Sequence, residues 1–118
     1  GEAAGDQSGS SVSTAGDVDG DGLDDILIGA PENDDSSSGA GKSYLVLASS
    51  IAAAGRFSLA TADAAFVGEA AGDNSGASVS TAGDVNGDGL DDLLMAAPYN
   101  DSSGTNDAGK SYLILSPY

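Results

Sequence analysis

The sequence predicts an all-β chain made of two blade-like sheets of the propeller kind. Three observations carry that prediction: a nine-residue acidic loop occurs twice, each copy runs into a short apolar segment stopped by proline, and the whole pattern returns after more than sixty residues. A period of that length, with three or four short strands per copy, fits a propeller blade and not a solenoid rung.

The repeat is legible almost residue by residue. Gly1-Glu2-Ala3-Ala4-Gly5-Asp6 returns as Gly68-Glu69-Ala70-Ala71-Gly72-Asp73, and the offset of 67 holds through Ala30-Pro31 and Ala97-Pro98. One residue inserted in the next loop then sets Gly41-Lys42-Ser43-Tyr44-Leu45 against Gly109-Lys110-Ser111-Tyr112-Leu113. Such an insertion marks a surface connection, because a one-residue slip within a strand turns every side chain to the other face. The units are residues 1–67 and 68–118.

The elements of each unit follow in order. Ser11-Val12-Ser13-Thr14-Ala15 alternates small polar and apolar residues like a half-buried strand. Residues 26–30 and 93–97 are apolar runs too short for helices and are ended by Pro31 and Pro98, so they read as buried strands. Residues 44–47 and 112–115 combine tyrosine with branched side chains suited to a third strand. Residues 57–67 occur once and are the candidate fourth strand of the first unit, whereas the second unit reaches Tyr118 without an obvious counterpart. The alanine-rich stretch 49–55 fits a helical turn or a polar loop equally well in spacing. Serine, aspartate, asparagine and glycine at 32–41 and 99–109 predict exposed connections.

The repeated loops are Asp17-Val18-Asp19-Gly20-Asp21-Gly22-Leu23-Asp24-Asp25 and Asp84-Val85-Asn86-Gly87-Asp88-Gly89-Leu90-Asp91-Asp92. Oxygen side chains at places one, three and five, a carbonyl at seven and an aspartate at nine describe a cage for a hard cation such as calcium. The predicted ligands are Asp17, Asp19, Asp21, the Leu23 carbonyl and Asp25 in the first loop, and Asp84, Asn86, Asp88, the Leu90 carbonyl and Asp92 in the second. The glycines permit tight winding, and Leu23 and Leu90 are expected to turn their side chains inward. Gathered carboxylates repel by roughly 1 kcal/mol per close pair even at the dielectric of water, so an ion should tighten each loop. Because Asn86 stands where the first loop has Asp19, the first site is expected to bind more tightly.

A plain Asp-Gly turn on an acidic surface is the simpler reading of one such loop, but two copies that keep every ligand place argue against it. An EF-hand requires a glutamate at place twelve and a following helix. Place twelve is Ile28 or Met95, inside an apolar strand-like run.

Composition narrows the function. In 118 residues, 19 acidic side chains against three basic ones give a net charge of -16, which repels phosphate backbones and anionic lipid. Nucleic acid is not an expected partner, and two calcium ions would bring -16 to -12. Cysteine and histidine are absent, so single-chain thiolate zinc sites, Cys-His pairs and Ser-His-Asp triads are excluded. No apolar run approaches the roughly 20 residues of a membrane span, and no membrane insertion is expected.

Other motifs are set aside on physical grounds. Residues 104–111 satisfy the P-loop pattern, but a phosphate loop must open a helix, and the following residues look like strand. The paired carboxylates Asp24-Asp25 and Asp91-Asp92 would point to opposite sides of a strand. Asp24 and Asp91 are expected to face solvent or support the loop, and no nucleophile with an activating base lies nearby. No catalytic residue is predicted. Lys42 and Lys110, at strand starts, fit edge protection. The triplet Asn100-Asp101-Ser102 fits a glycosylation acceptor, a pattern frequent by chance.

The two loops, followed by Gly29-Ala30-Pro31 and Ala96-Ala97-Pro98, resemble the FG-GAP repeats of the integrin alpha-subunit propeller and its bacterial relatives. The resemblance spans nearly the whole chain. It implies four-stranded blades with calcium held in the hairpin between the first two strands, and a non-catalytic adhesion or scaffold role at the cell surface or outside the cell, toward a protein or glycan ligand. Two departures stand out: Ser8 and Ser75 replace the phenylalanine of Phe-Gly, and Ala96 replaces the first residue of Gly-Ala-Pro. Because two blades leave flat faces and strand edges uncovered, several chains are expected to associate into a homo-oligomeric ring, three or four chains giving six or eight blades. The alternatives are a natural or engineered repeat unit whose activity is calcium-dependent self-assembly, and an accessory domain of a secreted enzyme.

Overall fold

The computed structural model describes residues 1–51, 56–101, 104 and 106–117, which form two antiparallel sheets. The first runs in chain order through β1 (Ser11–Gly16), β2 (Asp25–Ala30), β3 (Lys42–Val46) and β4 (Ala64–Val67). The second contains β5 (Ser78–Gly83), β6 (Asp92–Ala97) and β7 (Lys110–Ile114). Register repeats with the sequence: Ser13 faces Leu27 and Leu27 faces Leu45, as Ser80 faces Leu94 and Leu94 faces Leu113.

Each first strand ends in a bulge that re-aims the chain into its acidic loop. The Thr14 hydroxyl accepts from the Gly16 amide at 3.0 Å, and Thr81 accepts from Gly83 at 3.1 Å.

The main core lies between the sheets. Ala15, Val18, Leu27 and Leu45 of the first pack with Val79, Leu93 and Met95 of the second. The two sheets use opposite faces of the same pattern: β2 contributes Leu27, whereas β6 contributes Leu93, the counterpart of Ile26. Likewise Val79 is buried while its counterpart Val12 is exposed. The contact is therefore head-to-tail, a step from one unit to the next without two-fold symmetry.

The predicted fourth strand is shorter than 57–67. Strand geometry begins at Ala64, and before it a 3-10 turn at Leu59–Thr61 lays Leu59 on Tyr44 and Val46, with Phe57 packed beside them. Burying that leucine on the outer face of the first sheet overrides extension along its edge. Ala48–Ser50 is also a 3-10 turn, while 52–55 lie outside the described residues.

The connections 32–41 and 99–109 are not uniformly exposed. Asn33 and Asn100 are buried, and their amides donate to Asp6 at 3.0 Å and to Asp73 at 2.7 Å. Those carboxylates also accept from the amides of Ala3 and Ala70, tying the opening segment of each unit to its second connection. With its amide so placed, Asn100 is no surface acceptor, and Ser102 lies outside the described residues.

Lys42 differs from the edge-guard expectation, since β3 lies inside its sheet. Its ammonium meets Glu2 at 2.6 Å and Asp35 at 2.5 Å and lies 5.1 Å from the Tyr44 ring centre. The Tyr44 hydroxyl donates to the same Glu2 oxygen at 2.9 Å. Burial opposes the Lys42 charge, but the hydrogen bonds to Asp35 and Glu2 outweigh it and raise its pKa above the usual lysine range. Lys42 in turn holds the Asp35 carboxyl below its ordinary value. Lys110, on the last strand of the second sheet, reaches Glu69 at 2.9 Å with both partners substantially exposed.

The raised lysine contributes stability below its unfolded pKa, lost only as pH rises through the higher folded value. The lowered aspartate contributes above its unfolded pKa, lost as pH falls through the folded one. Lys42→Met should therefore cost about 2 kcal/mol in urea unfolding near neutral pH, because it strands the Glu2 carboxylate, and the deficit should shrink in acid. Lys110→Met should cost less than about 1 kcal/mol.

Candidate metal centre

In both loops the place-one aspartate sits at the middle of a ring of backbone donors. Asp17 Oδ1 accepts from Gly20 at 2.7 Å and Asp21 at 3.1 Å, and Oδ2 accepts from Gly22 at 2.9 Å. Asp84 repeats this with Gly87 at 2.7 Å, Asp88 at 3.0 Å and Gly89 at 2.8 Å. Positive φ at Gly20 and Gly22, +81° and +85°, winds the loop tightly enough to aim three amides at one side chain.

The places that follow are held in the same way. Asp19 Oδ1 accepts from the Asp21 amide at 3.1 Å and Asp21 Oδ1 from Leu23 at 2.8 Å. Asn86 and Asp88 accept from Asp88 and Leu90 at 3.3 and 3.0 Å. Asp17, Asp19 and Asp21 each bring a carboxylate oxygen within 4.8 Å of the others. In the second loop Asn86 puts an amide in that set and donates to Asp88 at 3.4 Å.

The ninth-place aspartates do a further job. Asp25 is buried and accepts from Val18 at 3.0 Å and from Ala48, beyond β3, at 2.9 Å. Asp92 is buried and accepts from Val85 at 2.9 Å and Ser116 at 2.8 Å. Each carboxylate pins its loop to the chain leaving the third strand. A carboxylate oxygen has a second lone pair, so these bonds leave it able to ligate a cation.

The electrostatics separate the places. The amides of Gly22, Gly20 and Asp21 hold the Asp17 carboxyl below the usual carboxylate range despite lost hydration, and Gly89, Gly87 and Asp88 do so for Asp84. Asp19 is pushed the other way by lost hydration and by the charges of Asp21, Asp25 and Asp17, against the Asp21 amide. A hard cation relieves that repulsion, and an all-oxygen donor set suits calcium.

Two features were not legible at the site. The Leu23 side chain is exposed and not turned inward, while Leu90 is half-buried against Gly20 of the first loop. Asp91 docks on that loop too: it accepts from the Asp17 amide at 3.0 Å and donates its own amide to the Asp17 carbonyl at 2.9 Å. A Cβ on Gly16 would fall 2.1 Å from the Asp91 carboxylate, so glycine there is what lets Asp91 approach. Its counterpart Asp24 is exposed. The Asp-Asp doublet closing both loops was the available signal. In the P-loop-like segment 104–111, Lys110 begins strand β7 and not a helix, and residue 105 lies outside the described residues.

Comparison with known proteins agrees with this geometry. The FG-GAP repeat pattern matches residues 8–46 and 75–114, which take in the first three strands and the acidic loop of each unit. Integrin alpha-PS2 of Drosophila melanogaster is 37% identical over 109 residues, covering 88% of this chain and 8% of that protein. The chain thus spans under a tenth of that relative's length. Two matched repeats, each folded as an antiparallel sheet with its acidic loop between the first two strands, place the chain in the FG-GAP repeat family.

Proposed function

We propose that the chain is a calcium-stabilised pair of propeller blades, one ion per acidic loop, serving as a non-catalytic binding or scaffold module outside the cell. The observation that carries this reading is the duplicated web of amides around Asp17 and Asp84. It fixes the same loop shape twice and gathers Asp19 and Asp21 beside Asp17, and no ion pair among the described residues reaches these three carboxylates. Asp17, Asp19, Asp21, the Leu23 carbonyl and Asp25 hold the first ion, and Asp84, Asn86, Asp88, the Leu90 carbonyl and Asp92 the second. Roughly millimolar calcium outside cells suits weak sites of this kind. Among the described residues no helix is long and apolar enough to cross a membrane.

Adhesion to a protein or glycan ligand is the role that the integrin relative supports. A second reading, in which the activity is assembly itself, draws on the exposed apolar side chains of both outer faces, Val12 and Ile26 on one and Leu94 and Leu113 on the other. Further blades add there, from other chains or from a longer polypeptide.

Calcium at ten times its dissociation constant should stabilise the fold by about 1.4 kcal/mol per site over the chelator-treated chain. A pair of substitutions, Asp17→Ala with Asp84→Ala, should abolish the shift, and an unshifted parent would sink the metal reading. In calorimetry of single-site variants, the first loop should bind more tightly than the second.

The ninth place is separable from the third. In chelator, Asp25→Ala should cost about 2 to 4 kcal/mol, because the amides of Val18 and Ala48 lose their acceptor. Asp19→Ala should leave chelator-treated stability within about 0.5 kcal/mol and remove the calcium response of the first loop.

A further inference from the structure

The contact between the two sheets reveals what the outer face of the second one accepts. Leu27, Leu45 and Val18 are 0%, 0% and 1% exposed where the first sheet meets the second. Their counterparts Leu94, Leu113 and Val85 stand 40%, 50% and 52% exposed. The face that the second sheet turns away from the first is thus the same apolar face, in the same register, that the first sheet buries.

One position breaks the equivalence. A Cβ on Gly29 would lie 2.0 Å from the Gly76 carbonyl oxygen and 2.3 Å from the Ser11 hydroxyl, which donates to that same carbonyl at 2.7 Å. Only a residue without a side chain allows this approach. In the second sheet the position is Ala96, paired with Ser78 as Gly29 is paired with Ser11.

We propose that Ala96 determines the partner specificity of this face. It turns away a second copy of the chain seated as the second sheet sits on the first, and it reserves the face for a different FG-GAP sheet whose approaching loop keeps its carbonyl clear of the Ala96 methyl. In a second copy the approaching carbonyl belongs to Gly9, the counterpart of Gly76. Relieving a 2.0 Å contact requires a retreat of about 1 Å or more, and a gap of about 1 Å already forfeits roughly half of the dispersion attraction across the layer that Leu94 and Leu113 would form. Head-to-tail contacts that repeat without limit build rings or fibres. The Ala96 methyl breaks that series at this face, so the sheet that covers it differs in sequence from the first sheet of this chain.

Sedimentation velocity in excess calcium, over a wide range of concentration, tests this directly. The parent should sediment as one chain. Ala96→Gly should self-associate with a dissociation constant at least about tenfold lower than any shown by the parent, and adding Leu113→Asp should reverse the gain. An Ala96→Gly chain no more associated than the parent overturns the proposal, as does a parent that already assembles through a contact broken by Leu113→Asp. The mirror substitution, Gly29→Ala, should lower the thermal midpoint or abolish cooperative unfolding, and an unchanged midpoint would show that the methyl is tolerated.

Discussion

The structure depends on the apolar layer between the two sheets. Neither sheet has a hydrophobic face and a polar face in the ordinary sense. Leu27 and Leu45 point one way from the first sheet, and Ile28, Tyr44 and Val46 point the other. A sheet apolar on both sides is stable only when both are covered. On its inner side, the first sheet is covered by Val79, Leu93 and Met95. On its outer side it is covered in part by its own chain, through Phe57 and Leu59. The joined faces are successive, and the step from one to the next is what the repeated sequence encodes.

That step also positions the acidic loops. Once Leu93 and Met95 are seated, Asp91 is carried to the mouth of the first loop, where it exchanges hydrogen bonds with the backbone of Asp17. The first loop is therefore held on one side by its own Asp25 and on the other by the neighbouring sheet. The second loop has its own anchor, Asp92, while Gly83, the counterpart of Gly16, has nothing within 4 Å of its Cβ position. Two loops of nearly identical sequence thus differ in surroundings, and blade packing sets the difference.

Much of this was legible in the sequence. The repeat and the three strands of each unit follow from spacing and residue type alone, and the fold keeps them, with the acidic segments 17–25 and 84–92 running from the first strand of each sheet into the second. What was illegible was the facing of each strand. Alternation in 11–15 shows two faces but not which is covered, because in a stack both are meant to be. Hence Val12 is exposed and Val79 buried in the same motif. The turn residues misled for a related reason. Asparagine in a loop reads as solvent-facing, yet Asn33 and Asn100 are buried, because their amides reach carboxylates twenty-seven residues back in the chain. Long-range pairing of that kind leaves no periodic trace.

The charge of -16 acquires a different meaning once its carboxylates are placed. Asp6, Asp25, Asp73 and Asp92 are buried and accept from backbone amides, which replace the water they give up. They serve as acceptors for the fold's own backbone. Asp17 is half-buried and Asp84 exposed, each ringed by amides at the surface. Asp19 is the one pushed above its ordinary pKa by lost hydration and by its acidic neighbours. Charge that organises the backbone and charge that repels itself are therefore carried by different residues of the same short loop. That division lets the loop hold its shape first and present a crowded set of oxygens second, which is the order a preorganised cation site requires.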